Sequence, residues 1–219
     1  MGFGRALTAA LVEDGFDVVV DARGADALAA TAAALGPRVH PVVGDVADPA
    51  HRARLVETAR ALGGIDLLVN NASALGPSPL PRLRDVEPAT LADLFATNVV
   101  APLALCQLAL PDLARAEGAI INVTSDAGVE AYEGWGAYGT TKAALEQLSH
   151  VLAAEEPGVR VWWLDPGDMR TAMHQAAFPG EDISDRPLPE AVVPAVRRLL
   201  RTRPPSGRIV AADLLEVAR

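Results

Sequence analysis

Tyr138 and Lys142 stand four residues apart in the stretch AYGTTKAAL, and Lys142 is the only lysine in the chain. On a helix that spacing places both side chains on one face. A free phenol has a pKa near ~10 and exchanges protons poorly at neutral pH. An ammonium about 4–6 Å away favours the phenolate by ~3 kcal/mol at an effective dielectric near 20, or about two pKa units. The chemistry expected of the pair is proton transfer by Tyr138 to or from a carbon–oxygen bond, tuned by Lys142. A compact ammonium with three donors fits beside a phenol better than the wide fork of a guanidinium. Only two tyrosines occur, so a chance lysine at this spacing has odds on the order of one in a hundred.

Such side chains need elements to hold them. Short β-branched runs at 16–22, 39–44, 66–70, 119–125, 159–164 and 207–211 read as strands. Helical stretches at 3–14, 24–35, 48–62, 88–115, 136–154 and 189–202 lie between them. The strands are apolar on both faces, as parallel strands are when helices cover each side. The alternation predicts an α/β fold, a Rossmann-like doubly wound parallel sheet with helices on both faces. No repeat or linker divides residues 1–219, which read as one domain. Ligands in such sheets bind beyond the carboxyl ends of the strands. Asp21, Arg23, Asp45, Asn70, Asn71, Ser125 and the run Asp165 to Thr171 all fall at those ends and outline one cleft.

Composition narrows the function classes. A net charge of -9 argues against a nucleic-acid surface. With half of the residues apolar and 4% aromatic, aliphatic side chains must fill the core. Cys106, the single cysteine, lies in LALCQLAL and reads as a small buried hydrophobe. No apolar run approaches the ~20 residues of a membrane span. With Glu13 near the front, no signal peptide is expected; a soluble, cytoplasmic protein without a membrane partner is. His40, His51, His150 and His174 lack metal-ligand spacing and read as surface residues. No G-x-S-x-G nucleophile elbow occurs.

Taken in order, the motifs resemble the short-chain dehydrogenases/reductases of single-domain type, over nearly the whole chain. Gly2, Phe3 and Gly4 look like the end of that family's T-G-x-x-x-G-x-G turn. Asp45 and Val46 in GDV match its adenine-contacting strand end. Asn71 and Ala72 lie in NNAS, similar to N-N-A-G with Ser73 in place of the glycine. Asn98 in TNVVAP matches the family's helix asparagine. Ser125 precedes Tyr138 by the family's usual spacing, thirteen residues. Pro166, Gly167, Met169 and Thr171 belong to PGDMRT, which resembles the run beside the nicotinamide. The resemblance implies that Tyr138 exchanges the proton and Lys142 lowers its pKa and holds the nicotinamide ribose. It also implies that Ser125 binds the substrate oxygen and that Asn98 supports a water-linked proton path. The hydride belongs to the cofactor. At the second strand's end an acidic residue, here Asp21, suits NAD, whereas an arginine, here Arg23, accepts the 2′-phosphate of NADP. The A-R ending favours NADP(H), with NAD(H) the alternative.

Three departures set further expectations. The family's first strand and the front of its glycine turn are absent before Gly2. Met1 is therefore expected to be internal to a longer natural chain, with roughly a dozen or more residues before it. Without that strand, the strands starting near Phe16 and Asp66 would face each other unpaired across a gap. Around the tyrosine helix, EAYEGWGAY, LAAEEPGVRV and MHQ resemble sepiapterin reductase-like carbonyl reductases, implying a compact polar ketone or diketone as the small-molecule carbonyl or alcohol substrate. The proline-rich, acidic segment 173–189 is expected to form a substrate lid. Helices 88–115 and 136–154 are expected to pair copies into a homodimer or homotetramer. The competing reading is a catalytically impaired family member, kept for binding or scaffolding after losing its front strand. A nucleotide-sugar epimerase would need a larger substrate domain.

Overall fold

The computed structural model describes residues 2–216. It begins with helix α1 (Gly2–Glu13), strand β1 (Val18–Ala22), helix α2 (Ala25–Leu35), strand β2 (Val39–Val43) and helix α3 (Pro49–Ala61). Strand β3 (Leu67–Asn70) leads through a long loop into α4 (Pro88–Phe95), a π-helical turn (Ala96–Val100) and α5 (Ala101–Arg115). Strand β4 (Ala119–Val123), α6 (Gly136–Glu155) and β5 (Arg160–Asp165) carry the chain to a short α7 (Ala172–Ala177). Helix α8 (Val193–Thr202), strand β6 (Gly207–Val210) and α9 (Ala211–Glu216) complete it. The six expected strands are all present. Helix α7 falls in what reads as a loop, and the last strand ends one residue early because Ala211 opens α9.

Every strand pairing is parallel, but the strands form two sheets rather than one: β1–β2, and β3–β4–β5–β6 in that order. The expected gap lies between β1 and β3. It is a cavity of about 760 Å³ lined by both strands, by Leu7 and Leu11 of α1, and by Leu105 and Ala109 of α5. Among the described residues nothing pairs with those two strand edges, and Asn70 Oδ1 is buried beside the gap with no hydrogen-bond partner among them.

Strand β4 is buried throughout, and its alternation sorts side chains to two layers. Ile121 and Val123 pack with Phe3, Leu7 and Leu11 of α1 and with Val196 and Leu199 of α8. Ile120 points the other way, into Cys106, Ala109 and Leu113 of α5 and Leu152 of α6. Cys106 is wholly buried, as expected, and burial pushes its thiol up to about 12. A polar ladder ties the layers together: Asn70 Nδ2 donates to Asn122 Oδ1 at 2.7 Å, and Asn122 Nδ2 donates to Ser149 Oγ of α6 at 2.7 Å.

Two expectations need correction. Residues 88–115 form a continuous helix of 28 residues with an 18-residue stretch of mean hydropathy 1.6, long and apolar enough by length and composition to cross a membrane. Its apolar side instead packs on β3, β4 and α3, and it carries the fully hydrogen-bonded Asn98 inside. Nor are all the histidines at the surface. His51 is wholly buried, and His174 keeps only 9% of its side chain exposed.

Candidate active site

The end of β4 and the start of α6 bring three of the expected residues together. Ser125 follows β4, half-buried, and its hydroxyl donates to Asp126 Oδ1 at 3.0 Å while accepting from the Ala127 amide at 3.2 Å. Tyr138 and Lys142 lie one turn apart on α6, 7% and 2% exposed. The Lys142 ammonium stands 5.4 Å above the centre of the Tyr138 ring and donates to the Val123 carbonyl at 2.8 Å. Both side chains therefore lie on one helix face, as their spacing requires.

Their electrostatics differ from the expectation. Burial pushes the Tyr138 phenol up to about 12, against smaller lowering contributions from the Ser73 and Ser125 hydroxyls. Burial also brings Lys142 down to about 8. The cation lies over the ring face and donates to a backbone carbonyl instead of meeting the phenolic oxygen. Loss of solvation, with the Asp126 and Asp165 carboxylates adding to it, keeps Tyr138 protonated.

Asn98 sits in the π-helical turn, 1% exposed. Its Nδ2 donates to the Ala74 carbonyl and to Thr141 Oγ1, each at 2.9 Å. Its Oδ1 accepts from the Ala74 amide at 2.8 Å and from Ser73 Oγ at 3.2 Å. These four contacts saturate the side chain, so the water-linked path expected of Asn98 has no free side-chain atom to pass through. Asn98 instead clamps the loop after β3 to α6. The residue stands in a π turn, and such turns recur at functional sites. Ser73, the departure from the family motif, joins that clamp. Thr141, not singled out in the sequence, completes it by donating to the Tyr138 carbonyl at 2.7 Å.

The cofactor candidates gather along the same strand ends, but not all by their side chains. Gly4 lies so close to Asn71 that a Cβ there would stand 2.7 Å from its side-chain nitrogen. A Cβ at Gly2 would meet Thr171 at 3.7 Å, so the start of α1 and the loop after β5 face each other. Phe3 and Met169 belong to the core beneath, and Val46 is buried against α3. Phe3 and Val46 are buried, whereas Met169 is half-buried and keeps part of its side chain at the surface. Ala72 is exposed in the loop after β3, Pro166 is half-buried, and Gly167 adopts φ +72 with its amide donating to Asp165 Oδ1 at 3.0 Å. Asp45 and Arg23 lie at the rim, 4.0 Å apart, with 47% and 83% of their side chains exposed. A dinucleotide fits this set: amides at a helix N-terminus suit a pyrophosphate, and the polar strand ends suit its riboses.

Helix α7 and the loops beside it cover Tyr138. Ala176 and Ala177 of α7, Leu80 and Trp135 pack against Tyr138 and Leu75. Trp135 meets Tyr138 edge-on at 5.8 Å and lies 5.9 Å from Phe178. Thr171 caps α7 by accepting from the His174 amide at 3.1 Å, and Ser78 Oγ donates to the Ala176 carbonyl at 2.7 Å. The aromatic part of this wall was legible only as the Gly-Trp-Gly motif; Phe178 carried no signal, because only folding brings it to Trp135.

The family model for short chain dehydrogenases matches residues 1–182. A serine 3-dehydrogenase of Agrobacterium fabrum is 36% identical over 174 residues, covering 78% of this chain and 69% of that protein. A sepiapterin reductase of Meriones unguiculatus is 35% identical over 192 residues, covering 80% and 73%. The solved alcohol dehydrogenase from Thermococcus sibiricus, complexed with 5-hydroxy-NADP, superposes with a TM-score of 0.85 at 26% identity, covering 95% of this chain and 91% of that one. Strand order, strand-end motifs and these likenesses agree: the chain belongs to the short-chain dehydrogenases/reductases, a family of oxidoreductases.

Proposed function

We propose that the protein is an NADP(H)-dependent reductase of small carbonyl compounds, with Tyr138 as general acid. The observation that carries this reading is the buried Tyr138–Lys142 pair beside Ser125 at the end of β4. When bound, the cofactor supplies the hydride to the carbonyl carbon. Tyr138 delivers the proton to the carbonyl oxygen, and its raised pKa keeps that proton available across the neutral range. Ser125, whose hydroxyl now donates to Asp126, turns to donate to the same oxygen. Lys142 donates to the ribose hydroxyls and keeps positive charge beside the tyrosinate that forms. Asn98 acts through position, holding the loop of Ser73 and Ala74 against α6.

Residues 173–189 serve as the lid. Helix α7 rests on Tyr138, so a substrate enters only when α7 lifts and the Ser78–Ala176 contact opens. Trp135 and Phe178 then line the pocket with flat apolar faces, which suits a compact conjugated ketone or diketone. The solved relative complexed with 5-hydroxy-NADP and the sepiapterin reductase likeness support the cofactor and the substrate class.

Titration with NADPH followed by turnover of a diketone panel tests the reading. NADPH binding and consumption are expected; binding without turnover of any carbonyl would overturn the catalytic assignment. The open gap between β1 and β3 favours one rival, a family member retained for binding alone. That rival predicts no NADPH consumption under any condition.

A further inference from the structure

One buried cluster beside the cleft has no part in the proposed chemistry. Asp21, next to last in β1, presents Oδ2 at 3.3 Å to Nε2 of His51, in the first turn of α3. The other ring nitrogen, Nδ1, lies 3.3 Å from Nη2 of Arg54. A guanidinium only donates, so Nδ1 accepts and Nε2 carries the hydrogen that the Asp21 carboxylate receives. The ring is wholly buried, and Gly44 makes the room: a Cβ there would stand 2.2 Å from Nδ1. Side-chain capping of α3 by Asp48, which accepts from the Ala50 amide at 2.9 Å, fixes the turn that carries His51.

The place matters because the end of this strand is where doubly wound sheets set the adenosine ribose. An acidic side chain there accepts the ribose hydroxyls and opposes a 2′-phosphate, whereas an arginine welcomes one. This chain has both, and the structure treats them differently. The Asp21 side chain is 25% exposed and engaged by His51, whereas that of Arg23 is 83% exposed. Burial raises the Asp21 carboxyl above its usual range, with the His51 hydrogen bond opposing that rise, so the carboxylate is already partly withdrawn from solvent. Arg54 meets the far side of the His51 ring, and Arg23 stands 4.0 Å from Asp45, which the Ala47 amide holds at 2.9 Å.

We propose that His51 is a specificity-determining residue for the cofactor. By donating to Oδ2 it holds the Asp21 carboxylate toward α3 and away from the ribose, and it leaves the exposed Arg23 to receive a 2′-phosphate. The inference rests on the reading of this cleft as a dinucleotide site and adds a positioning residue that acts only through Asp21.

Dissociation constants for NADPH and NADH, measured by fluorescence on the full chain without substrate, test it. The native protein prefers NADPH. In His51→Leu the freed carboxylate opposes the phosphate, and the preference for NADPH over NADH falls by roughly tenfold or more. His51→Gln keeps a donor and holds the native ratio within about threefold. Asp21→Asn changes NADPH affinity by less than about threefold, because the side chain it alters is already turned toward His51 and away from the phosphate. The double variant His51→Leu/Asp21→Asn returns to the native ratio. A folded His51→Leu protein with an unchanged ratio overturns the proposal. So does a gain of threefold or more for NADPH in Asp21→Asn, which decides the matter if His51→Leu fails to fold. If the native protein binds neither dinucleotide, the cofactor reading itself fails and takes this inference with it.

Discussion

Tyr138 and Lys142 share one environment, and burial acts on both in opposite directions, raising the phenol to about 12 and lowering the ammonium to about 8. The consequence for activity is specific. Tyr138→Phe should lower kcat for carbonyl reduction by roughly 10²–10⁴-fold, the usual worth of a general acid, with NADPH affinity largely retained. Stopped turnover assays beside a binding titration check it, and unchanged kcat would remove Tyr138 from its role. The consequence for stability follows from which state binds more protons. Between about pH 8 and the unfolded value of 10.5, the native state has released the Lys142 proton while the unfolded chain still holds it. The Lys142 contribution to stability therefore rises with pH across that window. From the unfolded tyrosine value of 10.0 up to 10.5 the two groups oppose each other, and above 10.5 the sign reverses, because native Tyr138 keeps its proton up to about 12 while the unfolded phenol has lost it. Melting temperatures of the native protein and Lys142→Met, compared from pH 7 to pH 10, should converge or cross in favour of the native chain above pH 8. A constant difference would show that Lys142 is not shifted.

The π-helical turn and the split sheet are properties of elements, and each has its own test. Asn98 satisfies four polar partners inside the protein. Asn98→Ala would strand several of them, at roughly 1–3 kcal/mol for each group left unsatisfied. Urea denaturation should therefore show a loss of at least ~2 kcal/mol, well beyond a surface substitution. A loss within experimental error would mean that the clamp contributes nothing. Strands β1 and β3 each keep one unpaired edge along the 760 Å³ gap, whereas β4 and β5 are paired on both sides. Amide hydrogen exchange should consequently be faster in 18–22 and 67–70 than in 119–123 and 160–165. Equal protection of all four segments would contradict an open gap.

At the scale of the molecule, the helices that build the site also offer a surface. Val100, Leu103 and Val151 are exposed on the long helix and on α6, in a chain that carries a net charge of -9. Alanine-rich helices approach closely, and copies paired through α5 and α6 would cover these residues. Light scattering on the purified protein is expected to give at least twice the chain mass, and Leu103→Glu with Val151→Glu should return it to one chain. A native protein already of single-chain mass would rule that face out as an interface.

Strand–helix alternation, the face shared by Tyr138 and Lys142, and the run of polar residues at strand ends were all legible because they depend on local spacing. A helix brings i and i+4 together wherever it forms, and parallel strands place their ends on one side of a sheet. The unpaired gap was legible too, since no strand between those starting near Phe16 and Asp66 follows Gly2 among the described residues. Other outcomes required the folded chain. Asn98 became a clamp and Tyr138 a firmly protonated acid because distant segments, the Ser73 loop, Thr141 and α7, close around them. His51 left the surface for the interior because Gly44 and Asp21, which meet it only through the pairing of β1 with β2 and the packing of α3, make a pocket for its ring. Spacing along a chain determines which side chains can be neighbours on one element. Burial, and with it proton affinity and the choice of hydrogen-bond partner, is set by contacts between elements, which no local pattern contains.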